Sequence, residues 1–536
     1  MKASAGRTFP LGAEQEIHWR RLVENPESVT GIWRRQRVSG NLDVERLLAG
    51  VHGAVERHEA LRIGVSPVDD VPVQWLRDMP ERESLVTARS VRCRSEEQFD
   101  RYVQKMWAEE MRKGWDLACD YPFSFFLLRY SPTLHVFLSG FSHVAVDKLG
   151  GDIVLKQIWQ HYDGVPVSPA GAGDYFSAAV RHARRRSDEE SAAKHWEGRA
   201  SSVPPGVRFW GACNRVPREG GRADVYEPFV LDGRELAEMR RGRADARCSE
   251  FQWVLTAFAV TVFSLSPLDR IKLTVVVDMR SVAEREMVGM FAMRIPLTID
   301  RKNLGEMLPH VQKQLFRSFS AYRRMDPVEL NAALECAAGE SGRPCVDDLS
   351  INYIPLDVIP PGGHRGGVVI SETSNPAGTR FAPAGLYLQV ISEPDSLIYA
   401  FIADDAIMPP PVREEFSAAL RESLAGGFSS TSPDLVGKGS IKCEAGISLV
   451  TDADGRVVLV VDRWTLEDAI RELVGVVTAE VLVDECPTGA DVIRAHVVVD
   501  SALTADAVRN HLAKAARENP LLVVPGVITV EELSRM

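Results

Sequence analysis

The residues best suited to chemistry lie together at 139–152, SGFSHVAVDKLGGD. An apolar run ends at Ser142-His143, Val144 to Val146 stays apolar, and Asp147 follows four residues after the histidine. A histidine held at a strand end before a tight turn can present a fixed ring to a cleft. Its ordinary pKa of about 6.5 suits proton transfer at neutral pH. Asp147, past the bend, could orient that turn or pair with a basic side chain. Gly150 and Gly151 follow, and Asp152 reads as the N-cap of a helix. The plainer reading of the same residues is a hydrogen-bonded histidine beside a helix cap, and spacing alone leaves both open.

The elements that must position this turn are legible from hydrophobic period. Thr133 to Phe141 (TLHVFLSGF) predicts the strand that delivers it, and Leu155, Ile158, Trp159 and Tyr162 mark the helix that follows. Within that strand His135 is out of phase with Leu134, Val136 and Leu138, so it should face solvent or a neighbouring helix layer. Leu42 to Arg62 predicts another helix, with Val44, Leu47, Leu48, Val51, Val55 and His58 on one stripe. His58 lies beside Glu59, but its place on the apolar stripe argues for packing rather than acid–base work. Arg270 to Val277 and Leu397 to Ala403 read as strands, the second apolar enough to be buried on both faces. A charged helical stretch, Arg181 to Arg199, and a Gly/Ser/Pro-rich run near 425–440 divide the chain. The expected pieces are 1–190, 191–425, a linker at 426–440 and a small module at 441–536. The class is α/β, an α+β sandwich, with two similar strand-rich halves flanked by helices.

Composition removes several function classes. The chain has 536 residues, with 63 Lys and Arg against 74 Asp and Glu, a formal net charge of −11. So acidic a balance argues against general nucleic-acid binding, which needs basic surface to displace counterions. No stretch approaches the roughly 20 apolar residues of a membrane span. The N-terminal residues have no apolar core of a secretory signal. Eight cysteines without CxxC pairs speak against zinc and against a disulfide framework. Cys119, Cys336 and Cys345 have no neighbour that would activate a thiolate and are expected to be buried and inert. There is no Gly-rich phosphate loop. The expectation is a cytoplasmic protein that binds no metal and no nucleotide.

The turn resembles the HHxxxDG active-site motif of nonribosomal peptide synthetase condensation domains, here Ser142-His143-Val144-Ala145-Val146-Asp147-Lys148. Four further motifs follow that family's order. Arg57-His58-Glu59-Ala60-Leu61-Arg62 resembles its early RHExLR signature. Trp115-Asp116-Leu117 with Tyr121-Pro122-Phe123 resembles the stretch before the active-site strand. Residues 278–298, DMRSVAEREMVGMFAMRIPLT, resemble the segment with an Arg, VGxF and an apolar strand, and Ser350-Ile351-Asn352-Tyr353 the FNY strand. The resemblance implies a pseudo-dimer of two chloramphenicol-acetyltransferase-like halves in a V, with a tunnel between them. Donor and acceptor enter from opposite ends on the phosphopantetheine arms of acyl or peptidyl carrier proteins. His143 would then orient an amine or alcohol nucleophile, or take its proton, as it attacks an acyl thioester. Asp147 would be structural and pair with Arg280. Gly150, Met290 and Asn352 would lie near the tunnel, Met290 with Met287 and Met293 either in the core or lining an acyl pocket.

Two positions depart from the motif. Ser142 replaces the first histidine and cannot serve as a second base near neutral pH; in the family that first histidine is the less essential one. Lys148 replaces the glycine and would either point outward or read an anionic group on an unusual substrate. Both changes point to a specialised, stand-alone condensation enzyme of a natural-product pathway, forming an amide or, less readily, an ester. The alternatives are an inactive condensation-like protein that recruits a partner enzyme or carrier, and an acyltransferase that uses coenzyme A thioesters. Arg181 to Arg186 reads as a solvated helix face or as a docking patch for an acidic carrier.

The last hundred residues read differently. Ile447 to Arg463 predicts two strands around a turn at Asp454-Gly455. Residues 494–535 predict a strand, a helix and a further strand. This resembles the small C-terminal subdomain of adenylate-forming enzymes. The sequence ends before the position of that family's catalytic lysine, so a docking or relic role is expected rather than adenylation.

Overall fold

A computed structural model describes residues 8–24, 31–69, 71–167, 175–184, 223–225, 229–322, 349–355, 363–373, 386–404, 408, 410–426, 447–451, 453–486, 489–500, 502–518 and 522–533. In chain order the first stretch holds β1 (Thr8–Pro10), α1 (Ala13–Glu24), β2 (Gly31–Gly40), α2 (Val44–Arg57), β3 (Ile63–Val68), β4 (Val71–Leu76), β5 (Val86–Ser90), α3 (Glu96–Lys113), β6 (Phe123–Ser131), β7 (Leu134–Ser142), α4 (Lys148–Tyr162) and α5 (Tyr175–Arg184). The second holds β8 (Ala223–Val225), β9 (Phe229–Asp232), α6 (Gly233–Asp245), α7 (Glu250–Leu265), β10 (Arg270–Asp278), β11 (Ala292–Asp300), α8 (Leu304–Tyr322), β12 (Leu349–Pro355), β13 (Gly363–Arg365), β14 (Val368–Thr373), β15 (Leu386–Ser392), β16 (Ser396–Asp404) and α9 (Pro410–Gly426). The module comprises β17 (Ile447–Thr451), β18 (Val457–Asp462), α10 (Arg463–Arg471), β19 (Val476–Asp484), β20 (Val492–Val499), α11 (Ala505–Glu518) and β21 (Val527–Glu532).

The apolar run over 134–142 becomes β7, every residue of it buried, inside a sheet ordered β13-β14-β2-β7-β6-β5. Helices cover both faces. Gln36 on β2 accepts a hydrogen bond from Trp159 of α4, whereas its neighbours Arg35 and Arg37 reach Asp100 and Glu96 of α3 on the other side. Strand alternation makes that division. His135 shares a face with Phe137, whose ring meets Trp159, so it points into the α4 layer and is 3% exposed; the solvent-facing option falls away. α2 lies against α4 so closely that a Cβ on Gly50 would stand 2.7 Å from the Ile158 carbonyl, which explains a glycine in mid-helix.

The second sheet runs β11-β10-β12-β15-β16-β8, with β9 also on β16. α7 and α9 pack together over it through Phe258 and Phe416, and Phe416 meets Phe401 of β16. Two segments of the second stretch belong physically to the first. β14 pairs antiparallel with β2, and Met287, Val288 and Phe291 enter the core of the first sheet. A cut near residue 190 therefore does not separate two independent halves. The module has its own core, and β18 seats it on the second half: Asp269 donates its N–H to the Val457 carbonyl (2.8 Å) and accepts from the Val457 N–H (3.1 Å).

Several expectations need correction. The helix expected over 42–62 stops at Arg57: His58 is extended, its ring turned inward, and Glu59–Arg62 forms a separate single turn. β16 alternates, with Leu397, Tyr399, Phe401 and Ala403 buried and Ile398 and Ala400 half-buried, because only one face packs fully against helices. Cys119 is exposed, in the turn after Trp115, rather than buried. In the module, α10 and β19 occupy a stretch in which no element was expected. Cys336, Cys345, most of the 181–199 stretch and the 427–440 linker lie outside the described residues. Among the described residues no single helix is long and apolar enough to cross a membrane.

Candidate active site

β7 ends at Ser142, whose carbonyl accepts the N–H groups of Ala145 and Val146 (both 3.0 Å) and so closes the turn that carries His143. The helix cap is Asp147, not Asp152. The Asp147 carboxylate accepts the Gly150 N–H at 2.7 Å and α4 starts at Lys148. Asp152 sits one turn inside the helix, where it receives Arg34 of β2 (2.7 Å) and Lys148 Nζ (3.0 Å). Lys148 thus folds back along its own helix onto a buried carboxylate, instead of pointing simply outward.

Asp147 and Arg280, matched through the resemblance, meet as a bidentate ion pair. Arg280 Nη1 and Nη2 lie 2.8 and 2.9 Å from the two carboxylate oxygens, with the side chains 2% and 1% exposed. The pair is saturated. A guanidinium has five N–H donors. Besides the two on Asp147, those of Arg280 go to the carbonyls of Met287 (2.9 Å) and Gly289 (3.3 Å) and to Asp278 (3.0 Å). Asp147 also accepts the N–H groups of Phe291 (2.9 Å) and Ala292 (3.0 Å). Burial alone would raise its pKa, but the Arg280 charge and these bonds outweigh that and hold the carboxyl below its ordinary value. Arg280 also lies 4.5 Å over the Phe291 ring.

Gly289 admits this closeness. A Cβ there would stand 2.5 Å from the Tyr175 ring, and without one its carbonyl reaches the Asp147 N–H at 3.0 Å. The start of α4 and the β10–β11 connection are thereby locked together.

His143 itself is partly exposed, at the end of the central strand. Its pKa is lowered, first by burial and further by Arg294, against the pull of Asp147, its own carbonyl and Glu14. The ring is therefore a neutral base at neutral pH. Its Nδ1 is buried with no partner beyond its own backbone carbonyl, and the Ser142 hydroxyl is buried without a hydrogen-bond partner. Opposite it stands a residue that sequence reading passed over: His18 of α1, with its ring centroid 4.3 Å away and 14° from parallel. A Glu-x-x-x-His spacing at Glu14 and His18, on one helical face, was the available signal.

The remaining candidates divide. Gly150 is a buried part of the cap. Met290 is half-buried beside the lock and hydrogen-bonds Tyr175 through its backbone, while Met287 is core. Asn352 donates to the Tyr387 hydroxyl at 3.0 Å, on the second sheet. Among the described residues no cluster of three or more His, Cys, Asp or Glu could hold a metal ion.

A family model described as Condensation domain matches residues 35–353, more than half of the chain. The chain belongs to the condensation-domain family. Among solved structures it is similar to the X-domain of teicoplanin biosynthesis (TM-score 0.64, 16% identity, covering 81% of this chain and 98% of that one). It is likewise similar to the first condensation domain of the calcium-dependent antibiotic synthetase (TM-score 0.63, 15% identity, 80% and 99%). Both likenesses establish the fold: the chloramphenicol-acetyltransferase-like pair of halves expected from the motifs. Among curated proteins, the hybrid synthetase lepA of Aspergillus flavus is 23% identical over 460 residues, and the synthetase ACE1 of Pyricularia oryzae 23% over 335. The chain spans 11% and 8% of their lengths, so these relatives are far larger proteins. Both relatives are named as hybrids of a polyketide synthase and a nonribosomal peptide synthetase.

Proposed function

We propose that this condensation domain catalyses acyl transfer, forming an amide, or less readily an ester, from a carrier-protein phosphopantetheine thioester. The amine nitrogen or alcohol oxygen of the acceptor attacks the thioester carbonyl, the carbon–sulfur bond breaks, and His143 carries the acceptor's proton toward the departing thiolate. The observation that carries this reading is the contrast inside one turn: Asp147 and Arg280 are fully committed, while His143 is partly exposed and neutral at neutral pH. Holding two reactants in a desolvated cleft supplies most of the acceleration in such chemistry, and a positioned base adds about 10²–10⁴-fold. Cytoplasmic location and a carrier-bound donor are part of the proposal.

A second reading, recruitment of a partner enzyme, is favoured by Ser142 in place of the motif's first histidine. The related X-domain has also been solved as a complex with OxyB. A third, a coenzyme A donor, draws on the starter condensation domain of rhizomide synthetase, solved with C8-CoA. One experiment separates the first two: His143→Ala at the native locus, with untargeted mass spectrometry and a check that the variant accumulates normally. Loss of one amide- or ester-linked product with build-up of its precursor supports transfer. An unchanged profile, where deletion of the whole gene abolishes a product, overturns it in favour of recruitment. Product formation from a coenzyme A thioester without carrier protein would replace the carrier donor with a coenzyme A one.

A further inference from the structure

α1 is held against the turn at three successive levels of the helix. Glu14 Oε1 accepts the Arg294 N–H (3.1 Å) and the Tyr322 hydroxyl (3.4 Å), both from the second half. Gln15 Nε2 donates to the carbonyl of Val144 at 2.9 Å, one residue after His143. One turn further, His18, 6% exposed, lays its ring on that of His143. The helix therefore grips the backbone of the turn and the side chain it carries at once.

A working histidine is ordinarily held in one tautomer and one ring plane by a hydrogen bond on its second nitrogen. His143 Nδ1 is buried, and only the residue's own backbone carbonyl acts on it; no other described residue holds the ring by a hydrogen bond there. The ring of His18 is stacked on that of His143, 4.3 Å between centroids and 14° from parallel. The charged groups acting on the His143 ring are Asp147 at the cap, Glu14 on α1 and Arg294 on β11.

We propose that His18 is a positioning residue: delivered by α1, it fixes the ring plane of His143 by stacking. This rests on the reading of His143 as the proton carrier.

The test uses the full chain with ring-labelled histidine. NMR would read the His143 ring signals, assigned by their loss in His143→Ala, in wild type, His18→Ala and His18→Phe. The expected wild-type spectrum has one set of His143 signals dominated by one tautomer. His18→Ala should broaden or split that set. His18→Phe, which keeps a flat ring, should restore a single set. Where product formation can be followed, kcat should fall about tenfold to a hundredfold in His18→Ala with KM within about twofold, and recover in His18→Phe. A His143 ring unchanged in folded His18→Ala overturns the proposal. Should that variant not fold, His18→Leu, which fills the same volume without a flat ring, is read the same way. If His143→Ala leaves every product intact, the catalytic reading fails, while the ring spectra still decide the stack.

Discussion

The two ends of one six-residue turn, Ser142 to Asp147, are built on opposite terms. At Asp147 a buried carboxylate meets a guanidinium whose five donors all have partners, and the cluster joins α4 to the β10–β11 connection. At Ser142 and His143, a hydroxyl is buried without a partner, a ring nitrogen is buried with none beyond its own carbonyl, and the ring lies stacked on that of His18. A fully satisfied polar network gives rigidity and leaves nothing over for a ligand. A buried polar group left unsatisfied costs free energy. The proposed function rests on this contrast, with structure at one end and, in that reading, chemistry at the other.

The largest effect should come from the saturated end. Asp147→Ala takes from buried Arg280 its bidentate partner, leaving only the half-exposed Asp278 as counterion, and should cost about 3–5 kcal/mol, read as a lowered denaturant midpoint. His143→Ala, by contrast, should stay within about 1 kcal/mol of wild type. A loss below about 1 kcal/mol for Asp147→Ala would erase the contrast.

The contrast also sharpens with pH. Asp147 has a folded pKa below its unfolded value, so its contribution is present above that unfolded value and is lost as pH falls through the folded one. The neutral histidines respond earlier. His58, 2% exposed and hydrogen-bonded to Gln157 at 2.8 Å, is pushed down to about 4, mainly by burial. Between its unfolded value of about 6.5 and this folded one, acidification favours the unfolded chain, which alone takes up the proton. The cost is at most about 3 kcal/mol. His135 and His143 shift in the same direction. Urea titrations from pH 7 to 4 should show stability falling, with a shallower slope in His58→Gln; equal slopes would remove His58 from the account.

The smallest effect is expected at Lys148. Its ammonium pairs with Asp152 at 3.0 Å while a quarter exposed, and Asp152 keeps Arg34 when Lys148 is removed. Lys148→Ala should change stability by no more than about 1 kcal/mol. A loss of several kcal/mol would make the helix start a second saturated cluster.

Much of the site was legible because it is local. Ser142, His143 and Asp147 lie in one strand-turn-helix, and a solid apolar run before them predicts burial wherever it packs. The cap was misassigned because Asp147 and Asp152 are both acceptable cap residues. Only the turn closed by the Ser142 carbonyl brings the Gly150 N–H to the Asp147 carboxylate. The 42–62 helix was read too long because His58 matches its apolar stripe, whereas Gln157, 99 residues on, draws the ring out of helical register. His18 was missed for the same reason: hydropathy rates it a polar residue on a helix, and its meaning comes from a ring 125 positions away.

The sequence by itself determined the residue types at the turn, the order of the family's motifs, the acidic balance and the separate character of the last hundred residues. Each depends on neighbours within a few turns of chain. The tertiary structure decided that β14 completes the sheet of the first half, that Met287, Val288 and Phe291 cross into its core, and that His18 faces His143. Those contacts join residues far apart in the chain. Packing and hydrogen-bond satisfaction select them among the many pairings that the same hydrophobic pattern would allow.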